Sequence, residues 1–117
     1  MARLYQVIYA KEANEDIDKI LHYLNTNHGQ RAAKQKLGEL LAKVEEIPLH
    51  PKSFSLYLPE RKTFKRQYRY AIAGRSYRIV FAILIKGRTI RIISVRHVKM
   101  DDGPVIMRLK KNSRPVK

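Results

Sequence analysis

The spacing of apolar residues changes character along the chain, and each change marks an element. From Leu4 to Ala10, Tyr5, Val7 and Tyr9 alternate with Leu4, Gln6 and Ile8, a period of two that predicts a short strand. The period then lengthens. Ala13, Ile17, Ile20, Leu21 and Leu24 fall at i, i+4, i+7, i+8 and i+11, one stripe of an amphipathic helix. Glu12, Glu15, Asp16 and Asp18 crowd its first turns, where the helix dipole favours anions. Residues 25–29 read Asn-Thr-Asn-His-Gly and break the pattern. The same spacing returns at Ala33, Leu37, Leu40, Leu41 and Val44, extended by Ile47, so a helical hairpin is predicted. Only the apolar spacing repeats, which argues against an internal sequence repeat.

Pro48, Pro51 and Pro59 punctuate an irregular loop, after which strand-like runs occupy residues 64–72, 77–85 and 89–97. Gly74-Arg75-Ser76 and Lys86-Gly87-Arg88 each supply the glycine of a tight connection, predicting an antiparallel meander. The last two runs are apolar on both faces at their centres (Ile79 to Ile83; Ile90, Ile92, Ile93), so helices should cover one side of the sheet and leave the other only partly open. The expected architecture is α+β, in the order β-α-α-β-β-β, with the helical hairpin packed on a small antiparallel sheet. Residues 1–103 are expected to form a single domain. Residues 104–117 should be a basic tail with at most one docked turn, at Val105, Ile106 and Leu109.

Composition narrows the chemistry. A chain of 117 residues supports one hydrophobic core. With no cysteine, disulfides and Cys-ligated zinc or iron–sulfur sites are excluded, and four scattered histidines give no metal centre, so neither metal nor other cofactor is expected. Charges at Lys11, Glu12, Glu15, Asp16 and Asp18 interrupt any apolar leader, and no window approaches the ~20 apolar residues of a membrane span. A cytoplasmic protein without membrane contact is expected. Net charge is +15, and it is unevenly placed: residues 1–58 hold eight Lys/Arg against seven Asp/Glu, residues 59–117 seventeen against three. The second half should attract a polyanion, whether nucleic acid, the ribosome or an acidic protein segment.

Candidate binding chemistry concentrates there. Arg61, Lys62, Lys65, Arg66 and Arg69 interleave with Phe64, Tyr68 and Tyr70, a composition suited to phosphate neutralisation and base stacking. Alternation, however, places Tyr68, Tyr70 and Ile72 on one face, expected as core, with Arg66 near the start of that face and Lys65 and Arg69 opposite. Arg78 stands at the entrance of an otherwise apolar strand and must meet water, a carboxylate (Asp101, Asp102 or one on the helix) or a ligand anion. Arg91, Arg96 and Lys99 lie on or just past the last strand, near Arg78 if the strands pair in order. His97 is the histidine of the basic half, and neighbouring cations favour its neutral form, a possible base. His22, His28 and His50 read as surface residues.

A short strand, a helical hairpin, and a meander containing Tyr77-Arg78-Ile79-Val80-Phe81 and ending in Ile93-Ser94-Val95-Arg96-His97 with Asp101 beyond it resemble the RelE/ParE superfamily of toxins from type II toxin–antitoxin modules. The likeness spans about residues 4–102. It implies a cognate antitoxin, whose acidic or amphipathic segment wraps the helices and sheet, and one of two targets. RelE-like members cut messenger RNA on the ribosome; Arg78, His97 and Arg96 would then be the catalytic residues. The tyrosine that RelE uses near its C-terminus has no counterpart after Tyr77. ParE-like members poison DNA gyrase and need no catalytic set. Arg69, the Tyr77-to-Val80 run and His97-Val98-Lys99-Met100-Asp101 resemble that branch, with Lys65, Arg66, Arg69, Arg91 and Lys99 as target-binding residues. The resemblance thus favours a gyrase inhibitor over a ribosome-dependent endoribonuclease, and a non-toxic nucleic-acid-binding or degenerate relative is the third alternative.

Overall fold

The computed structural model describes residues 5–59, 66–84, 86 and 88–112. Strand β1 (Gln6–Tyr9) leads into helix α1 (Lys11–Glu46), followed by single 3-10 turns at Ile47–Leu49 and Pro51–Ser53. Strands β2 (Tyr68–Ala73), β3 (Tyr77–Leu84) and β4 (Thr89–His97) come next, then helix α2 (Gly103–Asn112). The sheet order is β1-β4-β3-β2. The meander is antiparallel as expected, but β1 pairs parallel to β4, Gln6 opposite Thr89 through Tyr9 opposite Ile92, so the sheet is mixed rather than wholly antiparallel. The α1 excursion returns the chain to the far side of the sheet, and three antiparallel strands then end with β4 running the way β1 began.

The hairpin is present in a tighter form than residues 25–29 suggested. Helical hydrogen bonding continues through Asn25 to His28, and only Gly29, at φ 88° and ψ 166°, leaves the helical region. A straight 36-residue helix would be about 54 Å long, more than the 43 Å longest extent of the molecule. The chain therefore doubles back at Gly29, and Leu21 of the first limb lines one groove with Ala33 and Leu37 of the second. At the other tight turn, Gly74 and Arg75 both carry positive φ, 56° and 65°, which glycine adopts freely and arginine at some cost.

Both faces of the sheet are covered, not one. Against α1 lie Ala71, Ala73, Tyr77, Ile79, Phe81, Ile90, Ile92 and Val95, packed with Ala13, Leu40, Val44 and Ile47. The opposite face presents Tyr68, Val80, Ala82 and Ile93 to Tyr57 and to Val105 and Leu109 of α2. A register shift between Val80 and Phe81 makes both faces apolar: Val80 faces Ser94 and Phe81 faces Ile92, leaving Ile93 as the extra residue. Tyr68 and Tyr70 are core, as alternation indicated, but beneath α2 rather than the hairpin. The segment expected as a tail is helical through Asn112, with Val105, Ile106 and Leu109 buried.

Asp16, read from sequence as one of four acids favoured by the helix dipole, is only 4% exposed. β1 stops at Tyr9, so β4 has a free edge beyond Ile92, and Asp16 closes part of it. Its Oδ2 accepts the Val95 N–H at 3.0 Å and Arg108 Nη1 at 2.6 Å, while Oδ1 accepts Arg108 Nη2 at 3.0 Å. Ser94 Oγ accepts a further bond from Arg108 Nη1 at 3.2 Å. The forked pair thus ties both helical layers together around the sheet edge, and the carboxylate holds the Arg108 guanidinium above its ordinary pKa. Among the described residues no helix is long and apolar enough to cross a membrane, and no group of three or more His, Cys, Asp or Glu is placed to hold a metal ion.

Candidate target-binding site

The ends of β3 and β4 bring part of the expected set together. Arg78 and Arg96 are cross-strand neighbours, a like-charge pairing that is unfavourable unless an anion relieves it. A carboxylate partly does: Arg78 Nη1 lies 3.4 Å from Asp102 Oδ1, the structural alternative that its position allowed. The guanidinium also lies 5.8 Å from the Tyr57 ring centroid and 5.4 Å from that of Tyr70, within cation–π range. The Nε atoms of Arg78, Arg96 and Arg91 are buried without a hydrogen-bond partner among the described residues.

Other expected site residues stand apart. Alternation puts Arg78 and Arg96 on the face with Val80 and α2, whereas His97 shares the α1 face with Tyr77 and Val95. The His97 ring meets Tyr77 edge-on at 5.6 Å. His97 Nδ1 accepts the Lys99 backbone N–H at 3.1 Å. Since a backbone N–H can only donate, the proton of the neutral ring sits on Nε2, and its one lone pair is already engaged. Arg91 stands opposite Ala82 and beside Ile8, five residues or about 17 Å from Arg96 along the strand. Arg69 points away from Tyr68 and Tyr70, and its Nη1 donates to the Phe54 carbonyl at 2.6 Å. Arg66 is exposed ahead of β2 rather than on a strand face, Lys99 is exposed after β4, and Lys65 lies outside the described residues.

Sequence reasoning passed over Tyr57. Two backbone bonds, Tyr57 N–H to Tyr68 C=O and Tyr70 N–H to Ser55 C=O, lay its segment along the outer edge of β2. Its hydroxyl then donates to Asp102 Oδ1 at 2.6 Å. The apolar run Leu56-Tyr57-Leu58 between prolines was the available sign of a docked segment. Burial first, then the bonded and charged Asp102, raise the Tyr57 phenol far above 10.0, with Arg78 opposing. Burial also raises Tyr77, with Tyr23 adding, and Tyr9, with Glu45 adding.

These shifts set an alkaline limit on stability. Below about pH 10 folded and unfolded chains both keep these phenols protonated, and the stabilisation is complete. As pH rises further the unfolded chain ionises while the folded one holds its protons, so stability is lost. The urea midpoint is expected to fall as pH rises above about 10, less so in Tyr57→Phe. A midpoint as alkali-sensitive in Tyr57→Phe as in the parent would remove Tyr57 as the main source.

Comparison with known proteins agrees with this geometry. No curated protein matches the sequence. Among solved structures, a chain described as "Chromosomal ParDE TA system from P. aeruginosa" superposes with a TM-score of 0.65 at 15% identity, over 84% of this chain and 100% of that one. A chain of the "archaeal RelE-RelB complex from Pyrococcus horikoshii OT3" gives 0.50 at 19% identity, over 84% and 99%. The long helix over a four-stranded mixed sheet in this chain is thus a RelE/ParE-like fold. At the sequence level, residues 7–102 match the family described as "ParE toxin of type II toxin-antitoxin system, parDE". That span runs from β1 to Asp102 beside Arg78, and the chain belongs to the ParE toxin family.

Proposed function

We infer that this ParE-family toxin acts by binding DNA gyrase, without catalysis of its own, and that a cognate antitoxin neutralises it in the cytoplasm. The observation that carries the reading is how His97 is held. It borders the same small cleft as Arg78 and Arg96, but its ring is turned edge-on to Tyr77 and its Nδ1 lone pair already accepts the Lys99 N–H, so it is poorly disposed to take a proton from a ribose hydroxyl held at those arginines. Asp102 beside Arg78 also opposes the close approach of a phosphate. Arg78 and Arg96, with Lys99 nearby, suit an acidic or hydrogen-bonding surface of a protein target. The strongly basic second half favours fast association with both gyrase and an acidic antitoxin segment.

Two parallel assays test this. The purified chain is expected to block ATP-dependent supercoiling by purified gyrase and to leave messenger RNA intact on programmed ribosomes. Arg78→Ala should weaken gyrase inhibition by more than about tenfold, or 1.4 kcal/mol, with little change in thermal midpoint, because the ion pair it removes is partly exposed. Ribosome-dependent cleavage that Arg78→Ala abolishes would overturn the reading in favour of the RelE-like alternative. Activity in neither assay would favour a degenerate or purely nucleic-acid-binding protein.

A further inference from the structure

The end of the sheet away from Arg78 collects a second group of cations. Lys86 and Arg88 lie between β3 and β4, where the Arg88 C=O accepts the Gln6 N–H at the start of β1. Arg88 is eight residues, or about 27 Å, from Arg96 along the strand direction. Arg91 pairs with Ala82 from one side, and Tyr68 pairs with Ala82 from the other. Arg66, two residues ahead of Tyr68, therefore falls level with the end of β3. Helix α2 finishes over the same end: the Leu109 C=O accepts the Tyr68 hydroxyl, and Lys110 and Lys111 follow it. Arg91 is half-buried and the other five cations are exposed.

These charges are not answered within the fold. None of the six has an ion-pair partner among the described residues. Of the described acids, seven lie on α1, and the other two, Asp101 and Asp102, lie past the far end of β4. The Arg91 Nε is buried without a hydrogen-bond partner among the described residues. Like charges gathered in this way repel one another, and a polyanion relieves them.

We propose that this end of the molecule holds the sugar–phosphate backbone of a nucleic-acid duplex, without reading its bases, as a second surface separate from the one assigned to gyrase. A duplex carries one negative charge per about 1.7 Å of its axis, so long flexible cations on four separate segments each find a phosphate without fixed geometry. An acidic protein would have to match the same scattered cations one carboxylate at a time. A single strand would call for exposed aromatic faces on which its bases stack. Among the described residues the exposed aromatic is Tyr23, at 56%, and it lies beside the other end of β4 with His97 and Met100. DNA and RNA duplexes offer the same phosphates, and the test separates them.

The probe is a fluorescein-labelled DNA duplex of about 20 base pairs, titrated with the full chain between about 0.05 and 0.2 M salt and followed by anisotropy. Saturable binding is expected, with an affinity that falls on a log–log plot against salt with a slope of at least about 3.5, the value for four phosphates. The double variant Lys110→Glu/Lys111→Glu should bind at least about tenfold more weakly and lose about 2 from that slope. Lys86→Glu should weaken binding in the same direction, which would join the β3–β4 connection to α2 in one surface. All three positions are exposed, and thermal midpoints confirm folding. Lys34→Glu/Lys52→Glu makes the same charge change at exposed positions on the second limb of α1 and the following 3-10 turn, and should leave affinity within about threefold at 0.15 M salt, where distant charges are screened. An RNA duplex of the same sequence shows which source is preferred, and either preference upholds the proposal. Absent binding, equal losses in the two double variants, or an unchanged salt slope in Lys110→Glu/Lys111→Glu would overturn it. So would tighter binding of a single strand than of the duplex, or polyglutamate of equal charge that binds as tightly as DNA. Gyrase takes no part in these titrations, so failure to inhibit gyrase would strike the target assignment alone.

Discussion

Asp16→Ala is expected to cost about 3–5 kcal/mol, the range for removing one member of a buried charge pair. The magnitude follows from what the carboxylate leaves behind. Arg108 loses a two-pronged partner in a site from which water is largely excluded, and Val95 loses the acceptor of its N–H. Losing a carboxylate acceptor in so enclosed a site carries a desolvation penalty that an exposed pair would not, although Arg108 keeps its bond to Ser94 Oγ. Arg108→Ala alone should cost less, because Asp16 then keeps the Val95 N–H and the Ser94 hydroxyl. In the double variant the costs should fall short of their sum by more than about 1 kcal/mol. Urea unfolding of the four proteins measures the cycle; simple additivity would show that the helical layers are not coupled through this pair.

Leu109→Ala is expected to cost about 3 kcal/mol, within the usual range for a fully enclosed leucine. Leu109 is 0% exposed, in the cluster with Tyr57, Tyr68, Val80 and Ile93, and its carbonyl accepts the Tyr68 hydroxyl at 3.2 Å. Met107, two residues earlier and 70% exposed, is the control: Met107→Ala should change stability by less than about 0.5 kcal/mol. A Leu109→Ala protein as stable as Met107→Ala would mean that α2 rests on the sheet without contributing to its stability. A large loss would make α2 part of the folding unit, although it lies beyond the residues that match the ParE family.

Local order was legible because it is written in local periodicity. The alternation of Tyr5, Val7 and Tyr9, the spacing of Ala13 to Leu24 and of Ala33 to Val44, and the glycine at the β2–β3 turn each specify an element from neighbouring residues. What escaped depends on residues far apart in the chain. Nothing near Gln6 records whether β4 passes it parallel or antiparallel. Val105, Ile106 and Leu109 have helical spacing, but the basic residues around them masked a face that only Tyr57, Tyr68 and Ile93 could cover. Asp16 looked like its acidic neighbours until a strand edge and an arginine 92 residues away enclosed it. At the candidate site, the sequence placed Arg91, Arg96 and Lys99 near Arg78 and named Asp101 or Asp102 as its counterion; of these Arg96 and Asp102 lie beside it, and Arg91 does not. The sequence could not show that His97 would lie on the other face of the sheet, because that follows from the strand pairing.

The parallel pairing of β1 with β4 has a consequence for how the protein is made. Gln6 must wait for Thr89, 83 residues later, and at 5–20 residues per second the ribosome takes about 4–17 s to deliver it. From Glu46 onward both limbs of α1 have been synthesised, yet the sheet that should bury them is unfinished. Ile17, Ile20, Leu40 and Val44 then face the cell instead of the core. Until the C-terminal half emerges to close the sheet, the unfinished chain exposes apolar surface that the finished fold buries, the condition under which chains aggregate.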